Sequence, residues 1–177
     1  MIRMLKKAAP YVIVFGVVCS ALPYAYTEDF FEADVEKVIE GDKIILRGGT
    51  VVQYMGIDAP RTMVPDHVFK DIASAAFEIN KQLVEKKRVR LEFASPPNVS
   101  HSDSRKFAYV FAGGQMVNAV LLKKGLAVVS KTFPPSAQYQ TYFLRAQNEA
   151  VARQAGIWGK LNKAASKKKG FQDYAFQ

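Results

Sequence analysis

Glu40-Gly41-Asp42 and Gly56-Ile57-Asp58-Ala59-Pro60 bracket the stretch that most constrains this chain. Between them run Lys43 to Arg47, then Gly48-Gly49-Thr50, then Val51 to Met55. Two β-rich runs joined at a Gly-Gly turn, where a positive φ costs little, read as a β-hairpin. A hairpin folds the chain back on itself, so Asp42 at the start of the first strand and Asp58 just past the second become neighbours. Two carboxylates meeting there can hold a hard divalent cation, or can serve as turn-forming aspartates.

The flanking sequence extends the β pattern. Residues 28–34 read as a short acidic and aromatic lead-in, and Val35 to Glu40 as a first strand. A helix is expected over about 66–86. Its apolar stripe is Phe69, Ile72, Ala73, Ala76, Ile79 or Asn80, and Leu83, with Asp66 as N-cap and His67 as a surface or capping residue. Arg88 to Phe93 alternates, with Val89, Leu91 and Phe93 expected to point inward. A loop rich in Ser and Pro leads through His101 and Asp103 to Arg105, and Phe107 to Phe111 forms the next strand. Met116 to Lys124 reads as a short helix closed by Gly125. Leu126 to Val129 is extended. Ser136 to Ala155 reads as a long helix, with Tyr139, Tyr142, Phe143, Ala146, Ala150 and Val151 on its apolar side, ended by Gly156 to Gly159 with Trp158 packed back on the core.

The order β-β-β-α-β-β-α-(short β)-α predicts an α+β fold: a five-stranded Greek-key OB-type barrel with three helices, preceded by an N-terminal hydrophobic helix. Residues 1–27 carry that leader. Arg3, Lys6 and Lys7 precede an uncharged run, Ala8 to Tyr26, that would span about 28 Å as a helix. This is the pattern of a signal peptide or a membrane anchor. The expected domain then covers 28–160 and a basic tail 161–177. The implied location is exported: periplasmic, secreted, or anchored facing outside the cytosol, with membrane contact through 8–26.

Charge and cysteine usage exclude some functions. The formal net charge is +9. Three basic residues lie in the leader, and five lysines against one acid follow Gly159, so 28–159 holds only +2. The body is not a strongly basic polyanion binder. The single cysteine, Cys19, lies in the leader, which leaves the body without disulfides or cysteine-based zinc sites.

Five short motifs in order give a family resemblance over about 33–160. They are Gly41-Asp42; Gly56-Ile57-Asp58-Ala59-Pro60; Arg105-x-x-Ala108-Tyr109-Val110; Met116-Val117-Asn118 through Gly125-Leu126-Ala127; and Ala155-Gly156-Ile157-Trp158. Together they resemble the staphylococcal nuclease-like, or thermonuclease, domain. The resemblance implies Ca2+ held by Asp42, Asp58 and the Ala59 carbonyl. It implies a phosphate contact from Arg105 and a base-flanking aromatic near Phe133, whose bland alternative is a packing or loop-anchoring ring.

Two catalytic positions depart from the pattern. Gln53 stands where the family carries a phosphate-binding arginine, and Arg61 where it carries a general-base glutamate. Lys43 replaces the usual threonine after the first aspartate. A guanidinium cannot accept a proton at working pH. Loss of a general base costs about 10²–10⁴ in rate, and loss of a charge-stabilising donor about 10²–10³. The expected protein is therefore a weak or inactive nuclease that serves as a nucleic-acid or protein binding module. The alternative is an active calcium-dependent endonuclease with a displaced base, for which Asp66, His67, His101 and Asp103 are the nearby groups. A third reading is a subunit of an envelope or organelle complex. Arg61 is also a candidate to replace the metal's charge by pairing with Asp58 or Asp42.

Overall fold

Two irregularities in one strand let it serve both halves of a barrel. In the computed structural model, which describes residues 30–61, 69–96 and 104–165, β1 runs Phe31–Glu40. Its first part pairs antiparallel with β5 (Arg88–Ala94), from Phe31↔Leu91 to Asp34↔Arg88. Its second part pairs with β2 (Lys43–Leu46), with register shifts between Val35 and Lys37 and between Val38 and Glu40. Such bulges bend a strand and increase its twist, which a closed barrel needs. The lead-in expected at 28–34 is thus mostly strand. Its exposed residues alternate poorly, so the sequence pattern there gave no period-2 signal.

The expected hairpin is present. β2 pairs with β3 (Val51–Tyr54) through Lys43↔Gln53, Ile44↔Val52 and Ile45↔Val51. Gly48 and Gly49 both take positive φ at the turn. β6 (Lys106–Ala112) lies antiparallel to β5 and parallel to β3, with Gln53↔Phe107. The β3–β6 pairing closes the five-stranded barrel. Inside it sit Val35, Ile44, Leu46, Val52, Val89 and Leu91, all buried.

Three short strands complete the β structure. β4 (Ile57–Asp58) pairs with β8 (Val128–Val129), and β7 (Gln115–Met116) extends β6. The helices are α1 (Lys70–Val84), α2 (Val117–Lys123), α3 (Ala137–Ala152) and α4 (Ile157–Ala165). Three helices are expected in the domain, and four are found among the described residues. Gly156 sits at positive φ after α3 and was read as the end of helical structure. The chain instead turns there and starts α4, with the Ile157 N–H bonded to the Gly125 carbonyl at 2.9 Å. α4 crosses the expected tail boundary at 160, and Trp158 packs against the core as anticipated.

Three side-chain assignments change. Phe93 was expected inward but is 47% exposed, beside Phe31 at the end of the β1–β5 ladder. Alternation continues there, but the barrel's interior has ended. On α3, Phe143, Ala146 and Ala150 are buried while Tyr142 and Val151 are exposed, so the helix presents a narrower apolar stripe than its sequence suggests. The N-terminal segment 1–27, Asp66, His67, His101, Asp103 and the chain from 166 onward lie outside the described residues.

Gly41 is where this fold approaches the acidic turn most closely. A Cβ built there would lie 2.7 Å from the Ala76 Cβ on α1 and 3.0 Å from the Ala59 Cβ. Neither methyl can swing away. Gly41→Ala is expected to cost about 1–3 kcal/mol by overpacking. Urea unfolding of the single variant and of Gly41→Ala/Ala76→Gly checks this: the pair should show a favourable coupling energy, and strict additivity would mean the contact is not the cause.

Candidate functional site

Two turns carry the aspartates, and each is fixed by a buried asparagine from a helix. Asn80 on α1 is fully buried. Its Nδ2 donates to the Glu40 carbonyl at 3.2 Å, and its Oδ1 accepts the Tyr54 hydroxyl at 2.7 Å. Burial pushes the Tyr54 phenol far above its ordinary pKa, so it remains a hydrogen-bond donor. Asn118 on α2 is also fully buried. Its Oδ1 accepts the Val110 N–H and its Nδ2 donates to the Met55 carbonyl, each at 2.9 Å. Asn80 thereby sets the strand that delivers Gly41-Asp42, and Asn118 the turn that delivers Gly56-Ile57-Asp58.

Asp42 is only 5% exposed. Its Oδ2 accepts the Ala59 N–H at 3.0 Å, which joins the two turns directly. The Asp42 carbonyl accepts the Tyr54 N–H at 2.8 Å and the Gln53 Nε2 at 3.3 Å. Burial raises the Asp42 carboxyl from 3.8 to about 6, partly offset by the Ala59 N–H and by the Lys43 ammonium, with Glu40 and Asp58 adding repulsion. Asp58 is also raised by burial, and is lowered by a hydrogen bond from Ser130 and by the charges of Arg61 and Lys43. The charge of Asp58 acts on Asp42, so the hairpin brings the two carboxylates within electrostatic reach of each other.

The raised pKa has a definite sign for stability. A carboxyl whose folded pKa exceeds its unfolded value favours the folded state below the unfolded pKa, and that contribution is lost as pH rises through about 6. Asp42→Asn keeps an acceptor for Ala59 and removes the buried charge. In chelator it should be more stable than the wild type by about 1–3 kcal/mol at pH 8, with little gain at pH 4. Urea titrations at both pH values test this, and an equal difference at both would contradict it.

The remaining expected site residues fall on two flanks. Arg61 is exposed at the end of the described loop, and its positive charge acts on Asp58. Gln53 is only 4% exposed and serves the Asp42 backbone, which leaves its amide engaged in structure. Its cross-strand neighbours are Lys43 on β2 and Phe107 on β6. Phe107 leads to the second flank. Its ring lies 4.8 Å from that of Phe133, and the Arg105 guanidinium stands 5.5 Å from the Phe107 ring and 5.9 Å from the Phe133 ring. Phe133 also packs against the core, so its ring is held in place. Arg105 and Phe133 are thus brought together, an arginine seated on an aromatic pair.

Ser130 links the flanks. Its hydroxyl bonds Asp58, its Oγ accepts the Phe133 N–H at 2.9 Å, and its own N–H donates to the Gly56 carbonyl at 3.0 Å. Sequence reasoning missed Ser130 and the roles of both asparagines. A signal existed for Asn80, a polar residue at an apolar position of α1, since buried amides are retained where they satisfy backbone groups.

The donor set suits a hard cation in kind. Asp42 and Asp58 offer carboxylate oxygens, and the Ala59 carbonyl belongs to the same turn. Among the described residues no group of three or more His, Cys, Asp or Glu converges. A buried carboxylate is costly without a compensating positive partner, so the raised Asp42 is an observation that fits cation binding. Lys43 and Arg61 oppose it by like charge.

Fold and site define a class: a small α+β barrel that presents an acidic pair beside an arginine seated on aromatic rings. The chain matches the family described as staphylococcal nuclease homologue over residues 51–160. It is 36% identical over 127 residues to a thermonuclease of Staphylococcus intermedius, covering 70% of this chain and 74% of that one. It is 30% identical over 136 residues to the SPbeta prophage-derived endonuclease YokF of Bacillus subtilis (strain 168), covering 75% of this chain and 46% of the relative. It is 32% identical over 129 residues to the endonuclease YncB of the same strain, covering 71% of this chain and 61% of the relative. The chain belongs to the staphylococcal nuclease homologue family.

Proposed function

We propose that this protein binds nucleic acid at the Asp42–Asp58 site and hydrolyses phosphodiesters weakly or not at all. The observation that carries this reading is Arg61: a guanidinium stands three residues past Asp58, where its charge acts on the Asp58 carboxylate and no proton can be accepted. The acidic pair, Arg105 and Phe133 remain as a surface for a phosphodiester and a base. Asp42, Asp58 and the Ala59 carbonyl would hold Ca2+, which when bound supplies charge compensation to a phosphate oxygen. The chain's own residues then bind and orient: Arg105 contacts phosphate, and Phe133 offers a ring face.

A second reading is an active calcium-dependent endonuclease acting on DNA or RNA with a displaced base. It is favoured by the retention of both Asp42 and Asp58, with the Asp42 carboxylate bonded to the N–H of Ala59, the residue next to Asp58. We also propose export, with residues 1–27 as signal peptide or anchor and contact with a membrane through 8–26, on the strength of the basic flank and the uncharged run. N-terminal sequencing of the protein from its host separates cleavage from anchoring. Binding and hydrolysis of single-stranded DNA by the purified full chain in mild detergent, with calcium and with chelator, separates the two functional readings.

A further inference from the structure

The acidic turn contains a cation that has no assigned role. Lys43 opens β2, directly after Asp42, and its side chain is only 14% exposed. Its Nζ lies 2.5 Å from the Glu40 carboxylate, across the turn that contains Gly41 and Asp42. Its charge reaches both Asp42 and Asp58. Lys43 is also the direct cross-strand partner of Gln53. Paired residues in an antiparallel ladder project to the same face, with Cβ atoms about 4.5–5.5 Å apart. Gln53 itself is buried and bonded to the Asp42 carbonyl, so it contributes no charge to that face.

A phosphodiester approaching this turn meets Glu40, Asp42 and Asp58 against Lys43 and Arg61. One negative charge is left over among these five groups, and without Lys43 there would be two. Arg105 lies on the far flank, beyond Gln53 and Phe107. The near flank therefore needs a cation of its own, and among the described residues Lys43 is the one anchored there.

We propose that Lys43 is a phosphate-binding residue of this site, held ready by Glu40, and that it grips a backbone phosphate of single-stranded nucleic acid beside the acidic pair. This rests on the nucleic-acid-binding reading above. The ammonium has three donors, so it can keep one bond to Glu40 and offer the others to phosphate oxygens.

The test is fluorescence anisotropy of a labelled single-stranded DNA oligonucleotide against the full chain in mild detergent and chelator, across a salt series. Lys43→Thr is expected to weaken binding roughly tenfold, equally for unrelated sequences, and to reduce the slope of log K against log salt by about 0.7, the value for one phosphate contact on a single strand. Lys43→Arg should retain most of the affinity. Lys81→Thr, an equal loss of charge on α1, should change the affinity much less. Circular dichroism and urea midpoints check that each variant is folded. If the wild type binds but Lys43→Thr matches it, or matches Lys81→Thr, the role of Lys43 is overturned and the binding function stands. Loss with Lys43→Arg equal to that with Lys43→Thr would also overturn it. A wild-type chain that binds no DNA overturns both.

Discussion

Arg61→Glu is expected to raise hydrolysis of single-stranded DNA in calcium by about 10²–10⁴-fold over the wild type. The substitution changes two things at once. It removes a positive charge that now acts on Asp58, and it introduces a group able to take a proton from an attacking water. Arg61 is exposed, so the exchange disturbs no core packing and the barrel should be unaffected. Adding Gln53→Arg tests the other departure. A charge-stabilising donor is ordinarily worth about 10²–10³. The gain here should be smaller, because Lys43 already stands across the strand pair. Gln53 also holds the Asp42 carbonyl, a bond the new guanidinium must replace. Initial rates with the single and double variants, each with calcium and with chelator, measure both effects. No gain from Arg61→Glu would mean that position 61 lies out of reach of the reacting atoms.

Asn118→Ala is expected to destabilise the protein by about 2–4 kcal/mol and to lower Tm by on the order of 10 °C. Asn118 ties β6 to the turn before Asp58 through one side chain. Its removal leaves the Val110 N–H and the Met55 carbonyl without their partner in the interior. An unsatisfied buried group costs about 1–3 kcal/mol, and the vacated space adds a packing loss. Asn118→Asp is the informative companion. It keeps the acceptor for Val110 but loses the donor to Met55 and buries a charge, so it should be at least as damaging at pH 8. Thermal and urea unfolding check both. A wild-type Tm for Asn118→Ala would mean that water or a rearranged side chain replaces both bonds.

The sequence made the acidic turn legible because its signals are local. Gly48-Gly49 specify the hairpin turn, two β-rich runs specify β2 and β3, and a closed hairpin brings its flanking aspartates near each other. The close of α2 at Gly125 was readable for the same reason. What escaped was set by tertiary context. β1 begins at Phe31 because its first residues pair with β5, a partner more than fifty residues away. α4 forms because the Gly125 carbonyl receives the Ile157 N–H, which no local pattern announces. Phe93 alternates correctly yet points past the end of the barrel. At the site, the residue types at 42, 53, 58, 61, 105 and 133 were all visible. Their distribution into two flanks was not, since it depends on the parallel β3–β6 closure that puts Phe107 beside Gln53. Ser130 gave no signal at all: a lone serine before a loop is ordinary, and only the fold brings its hydroxyl to Asp58.

The proposed function is binding of nucleic acid by a family scaffold that keeps its acidic pair, with phosphodiester hydrolysis weak or absent. The most direct measurement is turnover of single-stranded DNA by the purified wild-type chain, in calcium and in chelator, alongside binding of the same DNA. Measurable binding is expected, with turnover at or near the background rate in both conditions. Calcium-dependent turnover that Asp42→Ala abolishes would contradict the account and establish the second reading, an active endonuclease with a displaced base.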